Sequence, residues 1–497
     1  MSEPGDVPDH APPPARAASE SPGAPDHPLP PGGFRTFVIL WASQSVSVIG
    51  SALTFFAVNI WLTQVRFPRV EQKPELAFAL SLTTLSFMLP SILVQPLAGA
   101  WADRHDRRRT MFIMNLAAGV VSTGLVLLLV RGRLELPILA AMLVVYGIFG
   151  AFHAAAFETS YAMLLPSSQL ARATGMMQTT MALSNVLSPW FAAVLIGWPA
   201  LARRGGALDL PGGVIGRLHE GTSLAVGIDA ATFFVAAVAL LGLHVPSPRR
   251  SDLESGAARK TLAHDIREGL LFVWHRRPML WLSAMFAAGN FILGPVVVLQ
   301  PLIVKFNLAA DWRARHFTFE TALALLATLN GVGGLVGAVV ISAWGGLKRR
   351  RVVGVLMSLA AAGALIAAYG VSSSIIRSAV LIFFVGSTLP MANAHSQAIW
   401  LDITPRHMQG RVLAARRLVG QITFPLGTAI AGWLGARFDP GIATSVLGAL
   451  MTVFALIQLG NPMLMRIEDR AWLERFAVSA DRTRNAAGTT PRPGDPP

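Results

Sequence analysis

The chain has 497 residues, of which 53% are hydrophobic and only 14% charged, and its apolar residues fall in long uninterrupted runs. Each run has about 20 residues or more, the length that a helix needs to cross roughly 30 Å of hydrocarbon, so a bilayer is the expected solvent. The formal net charge is +14, and the basic residues that produce it lie between these runs. They are not interleaved with aromatic residues as on a nucleic-acid-binding surface, so no nucleic-acid partner is expected. Since there is no cysteine, disulfides, thiol nucleophiles and cysteine-bound metals are excluded.

The hydrophobic runs predict an all-α, polytopic membrane protein with twelve transmembrane helices, called spans one to twelve below. The first six are predicted at Phe37–Leu62, Leu76–Trp101, Met111–Val130, Pro137–Leu165, Ala173–Trp198 and Thr222–Val245. The second six are predicted at Pro278–Val304, Thr318–Trp344, Val352–Val371, Ser378–Trp400, Val412–Ala436 and Gly441–Met465.

The chain around the spans divides into tails, bundles and a linker. A disordered tail at 1–33, with no hydrophobic stretch for a cleavable signal, precedes a six-helix bundle at 34–246. A second six-helix bundle at 278–465 is followed by a cytoplasmic, largely disordered tail at 466–497. Lys and Arg residues favour cytoplasmic termini by about two to one over the reverse topology, so we expect a multi-pass protein of the plasma (inner) membrane.

The two bundles resemble each other in their loops. GAWADRHDRRR at Gly99–Arg109 follows span two, and a weaker copy, SAWGGLKRRR at Ser342–Arg351, follows span eight. Two pseudo-symmetric six-helix repeats in parallel orientation fit this spacing.

The linker at 247–277 is polar and basic but contains an amphipathic pattern. Leu262, Ile266, Leu270 and Val273 recur at helical spacing. The pattern predicts a helix that either lies on the inner membrane surface or packs against the loops of the bundle.

The segment after span two resembles the signature of the major facilitator superfamily, through Gly99, Asp103, Arg104, Arg107 and Arg108. Asp106 replaces the second glycine of that signature, as in the macrolide-efflux and enterobactin-exporter branch of drug:proton antiporters. LWASQSVSVIGS, DIREGLLFVW and QGRVLAARRLVGQITFPLG are similar to the same branch. The Gly-Pro exporter pattern of span five survives only as Ser188-Pro189, a departure that weakens the inference of export.

This resemblance implies a conformational gate formed by the five signature residues. It places Asp103 near the start of span eleven, where its carboxylate meets the partial positive charge of a helix N-terminus when the cytoplasmic side is closed. Arg104, Arg107 and Arg108 are expected to pair with acidic groups or lipid phosphates, and the alternative is a topology signal alone.

The resemblance also places spans one, four, seven and ten around a central cavity. Span one carries a polar stripe, and spans seven and ten add further polar groups. The candidate cavity and substrate residues are Gln44, Ser47, Ser51, Thr54, Asn290, Asn393, His395 and Gln397, and Gln300 is a further polar residue of span seven. The alternative for each is helix–helix hydrogen bonding without a ligand role.

Proton coupling requires an ionisable group within the membrane, where such groups are costly. Asp229 lies seven residues into span six, roughly 10 Å deep. Glu158 and His153 in span four are further candidates, although five residues apart they do not share a helix face closely. The alternative is a satisfied polar group near a helix end.

Several function classes lack their motifs. No Walker sequence, metal-ligand spacing or nucleophile elbow is present, so we expect no enzyme, no cofactor and no metal. Transport is then driven by an ion gradient, with protons as the expected ion, or by the gradient of the solute itself. The first hypothesis is a monomeric efflux antiporter for a small-molecule substrate such as a drug, macrolide, siderophore or other secondary metabolite, in contact with membrane lipids. The alternatives are an uptake transporter or lysolipid flippase, and a non-transporting membrane receptor or scaffold.

Overall fold

The computed structural model describes residues 32–203, 216, 218, 221–245, 262–405, 408–469 and 472–473. The N-terminal half contains spans one to six, at Gly33–Trp61, Lys73–Ala102, Arg107–Val130, Leu136–Leu164, Ser167–Arg203 and Thr222–Leu241. The C-terminal half contains spans seven to twelve, at Arg277–Leu302, Phe319–Trp344, Arg351–Gly370, Ile375–Ile403, Gln409–Arg437 and Pro440–Ile457. All twelve are long and apolar enough to cross a membrane, and no strand occurs in the described ranges, so the predicted fold class is confirmed.

Span twelve is shorter than predicted. The sequence run extends to Met465, but the α-helix ends at Ile457 and is followed by a 3₁₀ turn at Gln458–Gly460 and a short helix at Pro462–Met465. Pro462 has no N–H to continue the ladder, and the Asn461 side chain accepts a hydrogen bond from the Met463 amide to begin the new turn. The hydrophobicity of the sequence alone does not predict this break in the helix.

Spans one and seven end in the same unusual way. Each closes with a five-residue π-helical turn, at Leu62–Arg66 and Ile303–Asn307 respectively. The Nζ atom of Lys305 in the second turn donates hydrogen bonds to the carbonyl oxygens of Thr63 (2.7 Å) and Phe67 (2.6 Å) at the first. The two repeats therefore share a local feature beyond their loops, and the two π turns meet.

The halves meet toward one end of the molecule. We call the end that carries the loop after span two the Asp103 face, and the opposite end the Lys73 face. At the Lys73 face the Lys73 Nζ donates to the Phe438 carbonyl oxygen (2.8 Å), and nearer the middle Thr328 Oγ1 donates to the Val186 carbonyl oxygen (3.1 Å). A buried apolar cluster that includes Leu53 and Phe319 joins both halves in the same region.

The linker contains a helix at Leu262–Trp274. Phe272 and Val273 are buried in the core of the C-terminal half, whereas Trp274 is 70% exposed. Glu268 forms an ion pair with Arg411 of span eleven (3.0 Å). The packed face favours the bundle-contact alternative for this helix; the side chains of Leu262 and Ile266, and linker residues 247–261, lie outside the described part.

Candidate functional site

Asp229 is fully buried inside the N-terminal half, where four hydroxyl groups surround its carboxylate. Thr54 Oγ1 of span one and Tyr146 Oη of span four donate to Oδ2 at 2.8 Å and 2.9 Å. Ser51 of span one and Ser122 of span three lie at 3.5 Å from Oδ1 and Oδ2. Spans one, three, four and six thus converge on one acid that has hydroxyl groups around it instead of a cation.

Gly50 makes this approach of spans one and six possible. A Cβ atom at position 50 would lie 2.5 Å from Thr232 Oγ1 and 2.8 Å from Asp229 Oδ1. Only a residue without a side chain leaves the carboxylate room beside span one.

A second polar cluster lies closer to the Asp103 face, around Gln44. Gln44 Oε1 accepts a hydrogen bond from Asn115 Nδ2 (2.9 Å) and lies 2.9 Å from His153 Nε2. The latter contact requires a proton on Nε2, because an amide oxygen can only accept.

The polar stripe of span one therefore faces mainly the interior of its own half. Ser51 and Thr54 contact Asp229, Gln44 contacts spans three and four, and Ser47 is buried. Of the four, Gln44 also lines a cavity, a space of about 140 Å³ between spans one, four and five.

His153 and Glu158 both line that small cavity, although their spacing of five residues along span four argued against a closely shared helix face. Glu158 is exposed and His153 is half-buried. The remaining lining includes Trp41, Phe157, Met177 and Met181, so the two ionisable groups lie in largely apolar surroundings.

A cavity of about 570 Å³ lies on the Asp103 side of the molecule between spans two, seven, ten and eleven. Its polar lining includes the predicted residues Asn290, Asn393 and Gln397, and its apolar lining includes Phe87, Phe286 and Phe424. Arg416 and Arg417 of span eleven also line it and were absent from the sequence-based candidates. We call this space the central cavity.

His395 is a correction to the predicted cavity set. It is buried under the loop after span eight, where its Nε2 accepts a hydrogen bond from the Leu347 amide (3.0 Å) and its Nδ1 lies 2.7 Å from the Met391 carbonyl oxygen. Residues 393 and 397 are four apart and share a helix face, whereas position 395 is rotated by about 200° from each. His395 therefore holds a loop rather than lining the central cavity.

Asp103 is exposed, and within the described ranges its side chain forms no hydrogen bond or ion pair with span eleven. A Cβ atom at Gly99, one turn earlier, would meet nothing within 4 Å. The proposed latch is therefore not formed in this conformation, which keeps its halves together at the Lys73 face.

Two of the signature arginines have partners that differ from those predicted. Arg108 donates to the carbonyl oxygens of Leu240 (2.8 Å) and Leu241 (2.6 Å) at the end of span six, and Arg107 donates to the Ala102 carbonyl oxygen (3.2 Å) and contacts Met163. The last carbonyls of a helix lack partners within it and carry partial negative charge, so they substitute for acids. Arg104 is exposed.

Gln300 lies behind the contact that closes the Lys73 face. It lines a cavity of about 120 Å³ together with Asn59 and Thr84, and its buried Nε2 atom has no hydrogen-bond partner among the described residues. This chamber is lined by residues of spans one, two, seven and eight, most of which are apolar.

Two six-helix halves that enclose a cavity and meet at one face have the architecture of a secondary transporter. The chain belongs to the Major Facilitator Superfamily, whose family model matches residues 40–428. It is an integral membrane protein of a transporter family.

Relatives and solved structures agree with this assignment. Macrolide efflux protein A of Streptococcus pyogenes is 24% identical over 432 residues, which cover 85% of this chain and 94% of that protein. The protein of the same name from Enterococcus faecalis is 24% identical over 364 residues, 71% of this chain and 99% of that protein.

Two solved structures share the fold. A bacterial homologue of the human lysosomal transporter Spinster, in an inward-facing and unoccupied conformation, has a TM-score of 0.58 at 15% identity and covers 92% of this chain and 98% of its own. A D-xylose-proton symporter has a TM-score of 0.58 at 14% identity, with coverage of 85% and 96%. At these identities the likeness concerns the fold alone.

Proposed function

We propose that the chain is a proton-coupled exporter of an amphipathic organic molecule, working by alternating access in the plasma (inner) membrane. Both termini and the Asp103 face lie in the cytoplasm in this proposal, so the structure represents the inward-open state. The protein acts as a monomer without a cofactor, and the proton gradient supplies the energy.

The observation that carries the proposal is the buried carboxylate of Asp229. An acid in this position is costly unless it is neutralised or held by donors, and here hydroxyl groups from three other spans contact it. Hydroxyls can donate to a carboxylate or accept from a carboxylic acid, so the site accommodates both protonation states. Spans one, three and four all contact this carboxylate, so a change in the protonation of Asp229 acts on the packing of the N-terminal half.

The direction and substrate class are supported by likeness to the macrolide efflux proteins, which extends over 85% of the chain for one of them. Large lining aromatics such as Phe87 and Phe424 suit a sizeable amphipathic molecule. A static receptor or scaffold would not need a gate signature, and the acid of this signature, Asp103, is exposed in the observed state.

Proton movement in inside-out vesicles tests the proposal. Vesicles that contain the protein are acidified inside, and a panel of macrolides, siderophores and aryl amphiphiles is added while a lumenal pH dye is read. We expect a substrate to release protons from the lumen as it accumulates there. Asp229→Asn should abolish this release because the amide has nearly the same shape but cannot carry the proton.

Glu71→Gln is the matched control, since Glu71 is exposed near the Lys73 face. It should behave as the parent protein. Substrate-linked proton release that persists in Asp229→Asn would refute the coupling role, and accumulation only in the opposite direction would favour uptake. An absence of flux across the whole panel would favour a scaffold.

A further inference from the structure

Arg416 and Arg417 give the central cavity an uncompensated positive charge. Both line it, and no Asp or Glu is among the described lining residues. Neither arginine forms an ion pair within the described ranges. Two adjacent guanidinium groups repel each other, and Arg416 is also partly buried, so an anion is the partner that would stabilise them.

The surroundings hold Arg416 in place but leave donors unused. Arg416 Nη1 donates to Gln397 Oε1 (2.6 Å), and its guanidinium lies 5.2 Å from the Phe286 ring centroid and 5.7 Å from that of Trp400. A guanidinium has five N–H donors, so one hydrogen bond leaves most of them available. Arg417 is exposed to the cavity.

The other lining groups fit a ligand that is both anionic and apolar. The amides of Asn290 and Asn393 line the cavity near the arginines, where they can donate to an oxyanion. Phe87, Met88 and Phe424 line the remaining wall and offer an apolar surface.

We infer that the central cavity selects an amphipathic organic anion, with its carboxylate, sulfate or phosphate group at Arg416 and Arg417 and its apolar body against Phe87 and Phe424. The inference rests on the proposed function, since it names the substrate class of that transporter. Positive charge in the cavity also disfavours organic cations. Glu158 of span four does not compensate this charge, because it lines the separate cavity between spans one, four and five.

Binding of three matched probes tests the inference. N-dansyl-6-aminohexanoate, its primary amide and dansylcadaverine have the same fluorophore and similar linkers, and end in a carboxylate, a neutral amide and an ammonium group. Their affinities are measured by fluorescence anisotropy on the full chain in nanodiscs of phosphatidylcholine. We expect the carboxylate probe to bind at least about tenfold more tightly than the amide probe, because charge-assisted hydrogen bonds are stronger than neutral ones.

Substitution locates the preference. In the double variant Arg416→Gln, Arg417→Gln the ratio of the carboxylate probe's affinity to the amide probe's affinity should fall to about one. Binding of the ammonium probe should become tighter. Arg437→Gln, an exposed arginine at the far end of the same span, is the matched control and should keep the parent ratio. Equal binding of carboxylate and amide by the parent, or a preference that survives the double variant, would overturn the inference.

A lipid headgroup and a soluble amphiphile present the same anion, and nanodisc composition separates them. Displacement of the carboxylate probe by phosphatidylglycerol, but not by phosphatidylcholine, identifies the anion source as lipid. Undiminished probe binding identifies it as the soluble amphiphile. Both results depend on the arginine pair and support the anion site.

Failure of this inference is distinguishable from failure of the proposed function. Proton-linked export that requires Asp229 but shows no charge preference retains the transporter and removes the anion site. Arginine-dependent anion binding without any flux retains the site and removes the transporter.

Discussion

At the residue scale, the hydrogen bond from Thr54 to Asp229 joins two spans. We expect it to contribute more to stability and transport than a hydrogen bond from a hydroxyl group to a carbonyl oxygen of its own helix. Thr54→Val keeps the shape but removes the donor at 2.8 Å, which should lower stability by about 1 kcal/mol and impair transport. Thr83→Val is the control, because buried Thr83 donates to the Ala79 carbonyl oxygen of the same span. Thermal unfolding in detergent and vesicle flux give the comparison, and equal losses in the two variants would contradict it.

Asp311 offers a pH-dependent test outside the membrane spans. The Ile375 backbone N–H donates to its carboxylate (2.8 Å) at the start of span ten, and this bond, with the help of Arg315, lowers the pKa of Asp311 below its ordinary 3.8. The carboxylate therefore stabilises the fold at pH values above 3.8, and this contribution disappears as pH falls through the lowered value.

Asp311→Asn is expected to melt at a lower temperature than the parent at pH 7, with the gap closing at acid pH. Arg315→Gln, which removes only an exposed partner of Asp311 next to the helix at Ala309–Ala314, should have a smaller effect. A gap of constant size from pH 7 to pH 3 would show that the amide packs poorly rather than that the charge is needed.

The sequence identified some individual residues and misjudged others for geometric reasons. The depth of Asp229 in span six was apparent from the helical rise, but Ser122 and Tyr146 depend on how three other helices are rotated around it. Arg416 and Arg417 appeared only as part of a family-like segment, because spacing along span eleven does not reveal which face meets a cavity. His395 was predicted to line the cavity with its polar neighbours in span ten, but it lies on a different face of that helix.

At the element scale, the packing of spans eight and ten depends on glycine at particular positions. A Cβ at Gly333 would lie 1.9 Å from the Phe383 carbonyl oxygen, whereas one at Gly334 would meet only the Gly386 carbonyl oxygen at 3.8 Å. Gly333→Ala should therefore separate the helices and cost about 1–3 kcal/mol, while Gly334→Ala should stay within about 0.5 kcal/mol. Thermal unfolding of the two variants checks this, and a tolerated Gly333→Ala would refute the close approach.

The existence of the twelve spans was predictable from the sequence, because a helix needs about 20 apolar residues to cross the hydrocarbon of a bilayer. The residues at which the spans end were not predictable in this way. The π turns after spans one and seven have different sequences, LTQVR and IVKFN. No shared sequence pattern therefore predicts them. Each turn is closed by its own backbone hydrogen bond, from Phe67 to Leu62 and from Leu308 to Ile303.

Lys305→Met is expected to loosen the Lys73 face. The substitution keeps an unbranched chain but removes both hydrogen bonds to span one, which exist only while the halves meet there. Since the chain has no native cysteine, Asn59→Cys in the chamber behind the contact serves as a reporter. Labelling by an impermeant maleimide from that side should rise severalfold.

Lys348→Met, on the exposed loop after span eight, is the control for this experiment. It should leave the labelling rate at the parent value. An unchanged rate in Lys305→Met would mean that apolar packing alone holds the face closed.

At the scale of the whole molecule, the two-repeat plan was visible in the loops, but the conformation was not. Both states of an alternating-access protein use one sequence, so composition and spacing describe their common elements. Only the contacts reveal which face is closed, and here Lys73, Lys305 and Thr328 join the halves away from Asp103.

Asp103→Asn is expected to favour the conformation described here. Its exposed side chain makes no described contact with span eleven, so this state loses nothing, whereas the alternate state loses a latch worth about 0.3–2 kcal/mol. The population should shift about two- to thirtyfold toward an open Asp103 face, and transport should fall. Spin labels at Thr174→Cys and Lys348→Cys, on opposite halves, should report more of the long distance. Asp106→Asn is the control because asparagine caps span three equally well, and an unshifted distribution in Asp103→Asn would exclude the latch.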